Sequence, residues 1–248
     1  MVDQPIAVLS DIHGNSWALQ AVLEDIEQRG IRRIVNLGDS FYGPLDPQGT
    51  AKILLDRNIM SVQGNEDRIL LTSSKNRLKH PSLDFTRKNL SSEVFKWLRK
   101  LTSIAIVGKD IFLCHGSPQR DDEYLLEDVS EQWVVLRSTA ALAKMVAGID
   151  QQLILCGHSH VPRIVGLPTG QIIVNPGSVG LPAYTDEKPY LHCMETGSAH
   201  SRYSILSRNK SHWYIENVAV PYDWQTAAAT ALKNGRSDWV KWIREGRA

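Results

Sequence analysis

Short apolar runs alternate with helix-period patterns through the first two-thirds of the chain. Ile6, Ala7, Val8 and Leu9 form a continuous apolar run of strand length, and Leu19, Val22, Leu23 and Ile26 then recur at i, i+3, i+4 and i+7, one face of a helix. Asn15 or Ser16 supplies a capping side chain at its start, and Gly30 a stop. Residues 33–37 predict a second strand, 50–57 a helix and 60–63 a third strand. A β-α-β-α-β order implies parallel strands joined by right-handed crossovers.

Further on, Val94, Trp97, Leu98 and Leu101 share one face of a helix predicted over 91–101, and apolar runs at 104–107 and 111–114 flank Gly108-Lys109-Asp110 as a hairpin. A helix is predicted over 131–147, leading into a strand at 153–156. Strands then dominate, at 163–167 and 171–174 around a Pro168-Thr169-Gly170 turn, at 203–206 and at 212–220. From about 223 the tail is helical, with Trp239, Trp242 and Ile243 on one face. That face predicts docking on the core, with each buried aromatic worth roughly 2–3 kcal/mol, or else a dimer interface. No internal repeat or Gly/Ser linker divides the chain, so residues 1–248 read as a single domain of two packed sheets with a helical C-terminal tail.

Composition adds bounds. With 248 residues and 42% hydrophobic side chains the chain can bury a sizeable core. Its 28 basic and 27 acidic side chains leave a net charge of +1, which gives no global field for gathering nucleic acid or anionic lipid. A basic stretch holding Lys75, Arg77, Lys79, Arg87, Lys88, Lys96, Arg99 and Lys100 reads first as a solvated helical face and second as a steering patch for phosphate. No apolar run reaches the roughly 18–20 residues of a membrane span, and no signal-peptide layout is present, so a cytoplasmic protein is expected. Cys114, Cys156 and Cys193 form no C-x-x-C pair, which argues against a disulfide framework and a zinc-thiolate site.

Candidate chemistry lies in five islands: Asp11-Ile12-His13, Gly38-Asp39, Gly64-Asn65, His115-Gly116 and Gly157-His158-Ser159-His160. Most of them follow a predicted strand closely, and in α/β sheets ligands bind beyond the carboxyl ends of strands. Two divalent cations about 3.5–4 Å apart need a bridging ligand, several holding ligands and open positions for water and substrate. Asp39 can bridge, the four imidazoles supply neutral donors and Asn65 offers an amide oxygen. A nitrogen and oxygen set without thiolate suits Mn, Fe, Zn, Ni or Co better than Mg or Ca.

The ordered pattern D-x-H, G-D, G-N, H-G and G-H-x-H resembles the calcineurin-like metallophosphoesterases, in particular their compact prokaryotic phosphodiesterase branch. Tyr42-Gly43-Pro44, His115-Gly116-Ser117-Pro118, Glu123-Tyr124-Leu125 and Asn175-Pro176-Gly177-Ser178-Val179-Gly180 extend the likeness, which spans roughly residues 6–223. The resemblance implies an α/β fold, a four-layer α/β/β/α sandwich of two mixed sheets. It also implies two divalent metal ions, Mn foremost. Asp11, His13, Asp39 and His160 would hold one, and Asp39, Asn65, His115 and His158 the other, with a bridging hydroxide as nucleophile. The implied activity is hydrolysis of a small phosphate ester, with phosphodiesterase ahead of phosphatase. A metal-binding scaffold of the same fold with little hydrolysis is the alternative, and a homo-oligomer is compatible with either.

One position departs from that pattern. The family's usual histidine after Gly-Asn, a proton donor or substrate contact, is Glu66 here. With Asn65, Glu66 is therefore a catalytic candidate, able to act as an acid only where its surroundings raise its pKa. Cations nearby would lower it and keep the carboxylate charged. Asp67 is a second candidate acid and Arg68 a candidate substrate contact, each weighed against an ordinary surface salt bridge. Residues 186–201, with Tyr190, His192, Met194 and His200, read as an expanded loop able to fold over the site or as a surface hairpin at Thr196-Gly197-Ser198.

Overall fold

The computed structural model describes residues 3–57, 59–72, 81–210 and 212–248. In chain order the elements are β1 (Asp3–Leu9), α1 (Ser16–Gln28), β2 (Arg33–Asn36), α2 (Pro47–Arg57), β3 (Met60–Ser61), α3 (Asn65–Leu71), α4 (Pro81–Asn89) and α5 (Ser92–Leu98). Then follow β4 (Ile104–Val107), β5 (Ile111–Cys114), β6 (Glu127–Val129), β7 (Val134–Leu136), α6 (Thr139–Met145) and β8 (Leu153–Leu155). The remainder is β9 (Arg163–Gly166), β10 (Ile172–Asn175), β11 (Ala183–Asp186), β12 (His192–Glu195), β13 (Ser201–Asn209), β14 (His212–Val220), α7 (Trp224–Lys233) and α8 (Ser237–Glu245).

Two mixed five-stranded sheets are formed, ordered β14-β13-β1-β2-β3 and β4-β5-β8-β10-β9. The β1, β2 and β3 strands are parallel, as their crossovers require, and β13 returns antiparallel to β1. In the second sheet β5, β8 and β10 are parallel, with β4 and β9 antiparallel at the edges.

Strand alternation explains the layers. Ile6 and Val8 point inward with Val35 against Leu113, Leu153, Leu155 and Val174 of the other sheet. Ala7 and Leu9 point outward onto the apolar face of α1, Leu19, Val22, Leu23 and Ile26. On the far side Phe112, Ile154 and Ile173 pack on Leu142 and Val146 of the α6 region. The result is the expected four-layer α/β/β/α sandwich.

Some expected elements differ. The helix expected over 131–147 is instead the β6–β7 hairpin followed by the short α6. The Val134-Val135-Leu136 run suits an extended chain, Ser130 closes the turn by accepting from the Trp133 amide, and Ser138 starts α6 by capping Ala141 N. Within the segment expected as an expanded loop, His192–Glu195 forms β12 and pairs antiparallel with β11, Asp186 opposite His192, while Thr196-Gly197-Ser198 lies beyond β12 and joins no hairpin among the described residues. Lys75, Arg77 and Lys79 lie outside the described residues. In the tail, Trp239 and Ile243 of α8 dock on Leu45 and Leu181.

Candidate metal centre

Strand-end loops carry the candidate ligands, and their backbone is unusual. Asp11, His13, Asp39, His158 and His160 all have positive φ, between 51° and 68°. Such left-handed backbone costs a non-glycine residue of order 1–3 kcal/mol and persists where the surroundings over-determine it. Here they do. The loops after β1 and β2 run side by side, with Asp11 N donating to Gly38 O and His13 N to Asp39 O, both at 3.0 Å. The loops of the second sheet join at Gly157 N to His115 O, 2.7 Å. Across the two sheets His158 N donates to Asp11 Oδ2 at 3.1 Å. Glycine is needed at this junction, since a Cβ on Gly64 would stand 2.1 Å from Asp39 Oδ1 and one on Gly157 2.0 Å from Ser10 Oγ.

The structure brings the seven sequence candidates together, five of them buried and Asn65 and His158 half-buried. Donor atoms of Asp11, His13 and His160 lie within 4.8 Å of one another, and so do those of Asp39, His115 and His158. Asn65 opens α3 beside them, on the wall of both adjoining cavities. Three imidazoles are oriented by main-chain carbonyls: Nδ1 of His13 donates to Tyr42 O (3.1 Å), that of His115 to Leu37 O (2.9 Å) and that of His160 to Leu181 O (2.6 Å). This leaves each Nε2 as the acceptor facing inward. His158 is held differently, by stacking on Tyr124 at 4.6 Å between centroids.

The residues fit divalent metal. Nε2 of His13 and Nε2 of His160 face each other at 3.0 Å, an approach of two lone pairs that only a shared cation or proton relieves. Asp11 Oδ1 has the Nε2 atoms of His160, His115 and His13 at 3.3, 3.8 and 4.0 Å. Asp11 Oδ1 and Asn65 Oδ1 are both buried without a hydrogen-bond partner among the described residues. Such convergent orphan atoms are costly unless a cation satisfies them.

Electrostatics follow this packing. Burial alone would raise the Asp11 carboxyl, but His160, His115 and His13 pull it far below the usual range. Burial works against the charge on His13, yet Glu66, Asp39 and Asp11 raise it to about 9. Burial opposes charge on His115 too, and Asp39 and Asp11 lift it to about 10. Burial and the neighbouring His115 push His158 down to about 4, and burial lowers His160 despite Asp11.

Glu66 faces the cluster with Oε2 3.1 Å from His13 Nδ1. Burial pushes its carboxyl up to about 7, against the pull of His13. Asp67 does not form a surface salt bridge: fully buried, it accepts from the amides of Asp39 (2.9 Å), Ser40 (3.1 Å) and Gly64 (3.2 Å), clamping the loop that carries Asp39. Arg68 does pair at the surface, forking onto Asp121 at 2.6 and 2.8 Å. The Asn175 to Gly180 turn braces the site from beneath, with Ser178 Oγ donating to Asp11 O at 2.7 Å.

Two cavities open from the cluster. One of about 400 Å³ is lined by His13, His160, Tyr184, Trp239 and Trp242; the other, about 480 Å³, by Arg120, Tyr124, Arg137 and Lys188. Asn65, His158 and Asp186 border both. A larger cavity of about 730 Å³ touches Ile6 and Arg33 at the opposite strand ends and none of the seven candidates. Of the residues expected over the site, His192 reaches it only through Tyr124, Nε2 to hydroxyl at 3.1 Å, and Met194 is buried beside Tyr124. Tyr190 is exposed, and His200 bonds Ser198. Sequence reasoning missed Tyr124 and Tyr184 as neighbours of the ligands. The Glu123-Tyr124-Leu125 block was the available signal for the first.

A four-layer sandwich with Asp, His and Asn donors at its strand ends defines a metallophosphoesterase architecture. The chain belongs to the calcineurin-like phosphoesterase superfamily, whose domain model matches residues 5–198. It is 31% identical over 263 residues to the uncharacterized protein MJ0912 of Methanocaldococcus jannaschii, with 97% of each chain covered. A metallophosphoesterase from Sphaerobacter thermophilus shares the fold at a TM-score of 0.76 and 24% identity, over 98% of this chain and 99% of that one. The hypothetical protein PH1004 from Pyrococcus horikoshii OT3 does so at 0.74 and 21%, over 98% of each.

Proposed function

We propose that this chain is a dinuclear-metal-dependent phosphodiesterase acting on a small phosphate ester. The observation that carries the reading is the convergence of two donor sets, Asp11/His13/His160 and Asp39/His115/His158, with Asp39 between them and Asn65 alongside. Four imidazoles, two carboxylates and one amide, without thiolate, suit Mn first and Fe, Zn, Ni or Co next. When bound, such a pair of cations lowers the pKa of water toward neutrality and stabilises charge on phosphoryl oxygens.

The chain's own residues do the rest. Asp39 would be the ligand shared by the two ions; its Oδ1 accepts from Glu66 N at 2.9 Å and its Oδ2 lies 3.1 Å from His115 Nε2. Asn65 would offer its buried Oδ1 as a ligand and its amide hydrogens to a phosphoryl oxygen. Glu66 stands where the family pattern has a histidine; burial raises its carboxyl to about 7 in the metal-free fold, but cations beside it would lower that value and, with its contact to His13, make it a charged support of that ring in place of an efficient proton donor. Substrates with acidic leaving groups, aryl esters or activated diesters, are favoured over simple alkyl monoesters. No helix among the described residues is long and apolar enough to cross a membrane, and the exposed free thiol of Cys193 supports a reducing, cytoplasmic setting.

The test is a metal-by-substrate screen with bound metal quantified. Turnover of an aryl phosphodiester with Mn, lost in Asp39→Asn together with the metal, is expected. Two bound ions with no turnover on any ester would favour a metal-binding scaffold instead.

A further inference from the structure

The cavity of about 400 Å³ beside His13 and His160 has the size of a small-molecule site and an aromatic wall built largely by α8. Trp239 is 2% exposed, and its ring meets that of His13 edge-on, 6.1 Å between centroids at 77°. Gly43 makes room for it, since a Cβ there would stand 2.7 Å from both Trp239 Cη2 and His13 O. Trp242 is half-buried, 6.1 Å from Trp239, and Tyr42 and Tyr184 add two more rings to the lining. The Arg236 guanidinium lies 5.4 and 5.9 Å from the two indole centroids and is fixed by Asp238 at 2.6 Å and by Ser82. The wall is thus formed before a ligand arrives, which lowers the ordering cost of binding.

Two details select the occupant. The lining carries the carboxyl groups of Glu66 and Asp186, acceptors that favour an occupant with N–H donors over an apolar tail. Those carboxyl groups also disfavour a second phosphate there, and Arg236 is already neutralised by Asp238. A planar heteroaromatic ring meets both conditions, offering a π-face to the aromatic wall and amino or ring N–H donors to the carboxyl groups.

We propose that this cavity is a nucleobase subsite, and that the phosphate esters bound at the metal centre carry a purine or pyrimidine packed against Trp242 and Trp239. The proposal rests on the phosphoesterase reading, but its test needs no turnover. Calorimetric titration with AMP, ribose 5-phosphate and phenyl phosphate, with and without added Mn, compares one phosphate on three bodies. AMP is expected to bind about tenfold or more tighter than ribose 5-phosphate, the scale of base stacking on an aromatic. Trp242→Ala brings that ratio toward one, and Trp242→Phe restores most of it. A wild-type ratio near one, or a ratio that survives Trp242→Ala in a folded protein, would overturn the subsite. Phenyl phosphate binding as tightly as AMP would overturn the nucleobase assignment. Absence of hydrolysis in the metal screen, with the AMP preference intact, would sink the phosphoesterase reading alone.

Discussion

The two halves of the candidate metal centre hold their histidines by different means. On one side His13 and His160 are both aimed by main-chain carbonyls, Tyr42 O and Leu181 O, and Glu66 adds a carboxylate beside His13. On the other, His115 is aimed by Leu37 O, but His158 depends on the Tyr124 ring. Tyr124 is itself tethered by Tyr184 at 2.9 Å and His192 at 3.1 Å, and Tyr184 donates to His158 O at 2.9 Å. A carbonyl lock comes from the main chain of a neighbouring loop and survives most side-chain changes. A stacked ring can be removed by one substitution. The second half therefore takes its order from side chains that include Tyr184 and His192 of the β11–β12 segment, while in the first half Tyr184 only flanks the His160 ring edge-on, at 4.5 Å between centroids, beside its carbonyl lock.

On the proposed bridging role of Asp39, Asp39→Asn should erase the contrast. Metal analysis is expected to fall from two ions per chain to below one, with turnover at background; retention of both ions would refute its bridging role. Tyr124→Leu should separate the halves. Outer partners of metal-bound histidines are worth about 10–100-fold in affinity, and that loss should fall on one of two steps in a chelator titration. Equal weakening of both steps would show that the stack does not act on His158 alone.

The difference between the halves was not legible in the sequence, although the candidate ligands were. Asp11, Asp39, Asn65 and His115 could be picked out because strand ends and a fixed motif order are local properties. Carbonyl acceptors such as Leu37 O and Tyr42 O carry no residue signature, so the ring locks were invisible. Tyr124 and Tyr184 lie 34 and 26 positions before His158 and after it respectively, and only the fold makes them neighbours. Trp239 and Trp242 showed as a helical face, correctly apolar, but a sequence cannot say that the same face borders a cavity. The missed β6–β7 hairpin has a similar cause: Val134, Val135 and Leu136 suit strand or helix on pattern, and the Ser130 turn decides.

Proton competition should touch the halves alike. His13 and His115 hold protons to about 9 and about 10 in the metal-free fold, above the ordinary 6.5, whereas His160 and His158 are pushed down. Each half must then release a proton when it binds metal. Calorimetry in buffers of differing ionisation enthalpy should detect that release at pH 7.5, with affinity rising as pH climbs toward 9. The metal-free fold should respond oppositely. His13 and His115 bind protons more tightly folded than unfolded, so their contribution to stability is complete below about 6.5 and is lost as pH rises through 9 to 10. Affinity independent of pH over that window would refute both statements.

Glu66→Gln should have the smallest effect, and it probes the first half as Tyr124→Leu probes the second. The Tyr42 carbonyl still aims His13 when the carboxylate is neutralised, so metal affinity should drop by less than the full 10–100-fold of a lost outer partner. Rates distinguish this support from general acid catalysis, which supplies about 10²–10⁴-fold. A supporting Glu66 predicts similar small losses on aryl and alkyl diesters, and a gain on alkyl esters in Glu66→His. A loss of that size confined to alkyl leaving groups would make Glu66 the proton donor instead, and the asymmetry between the halves would then serve catalysis and not metal retention.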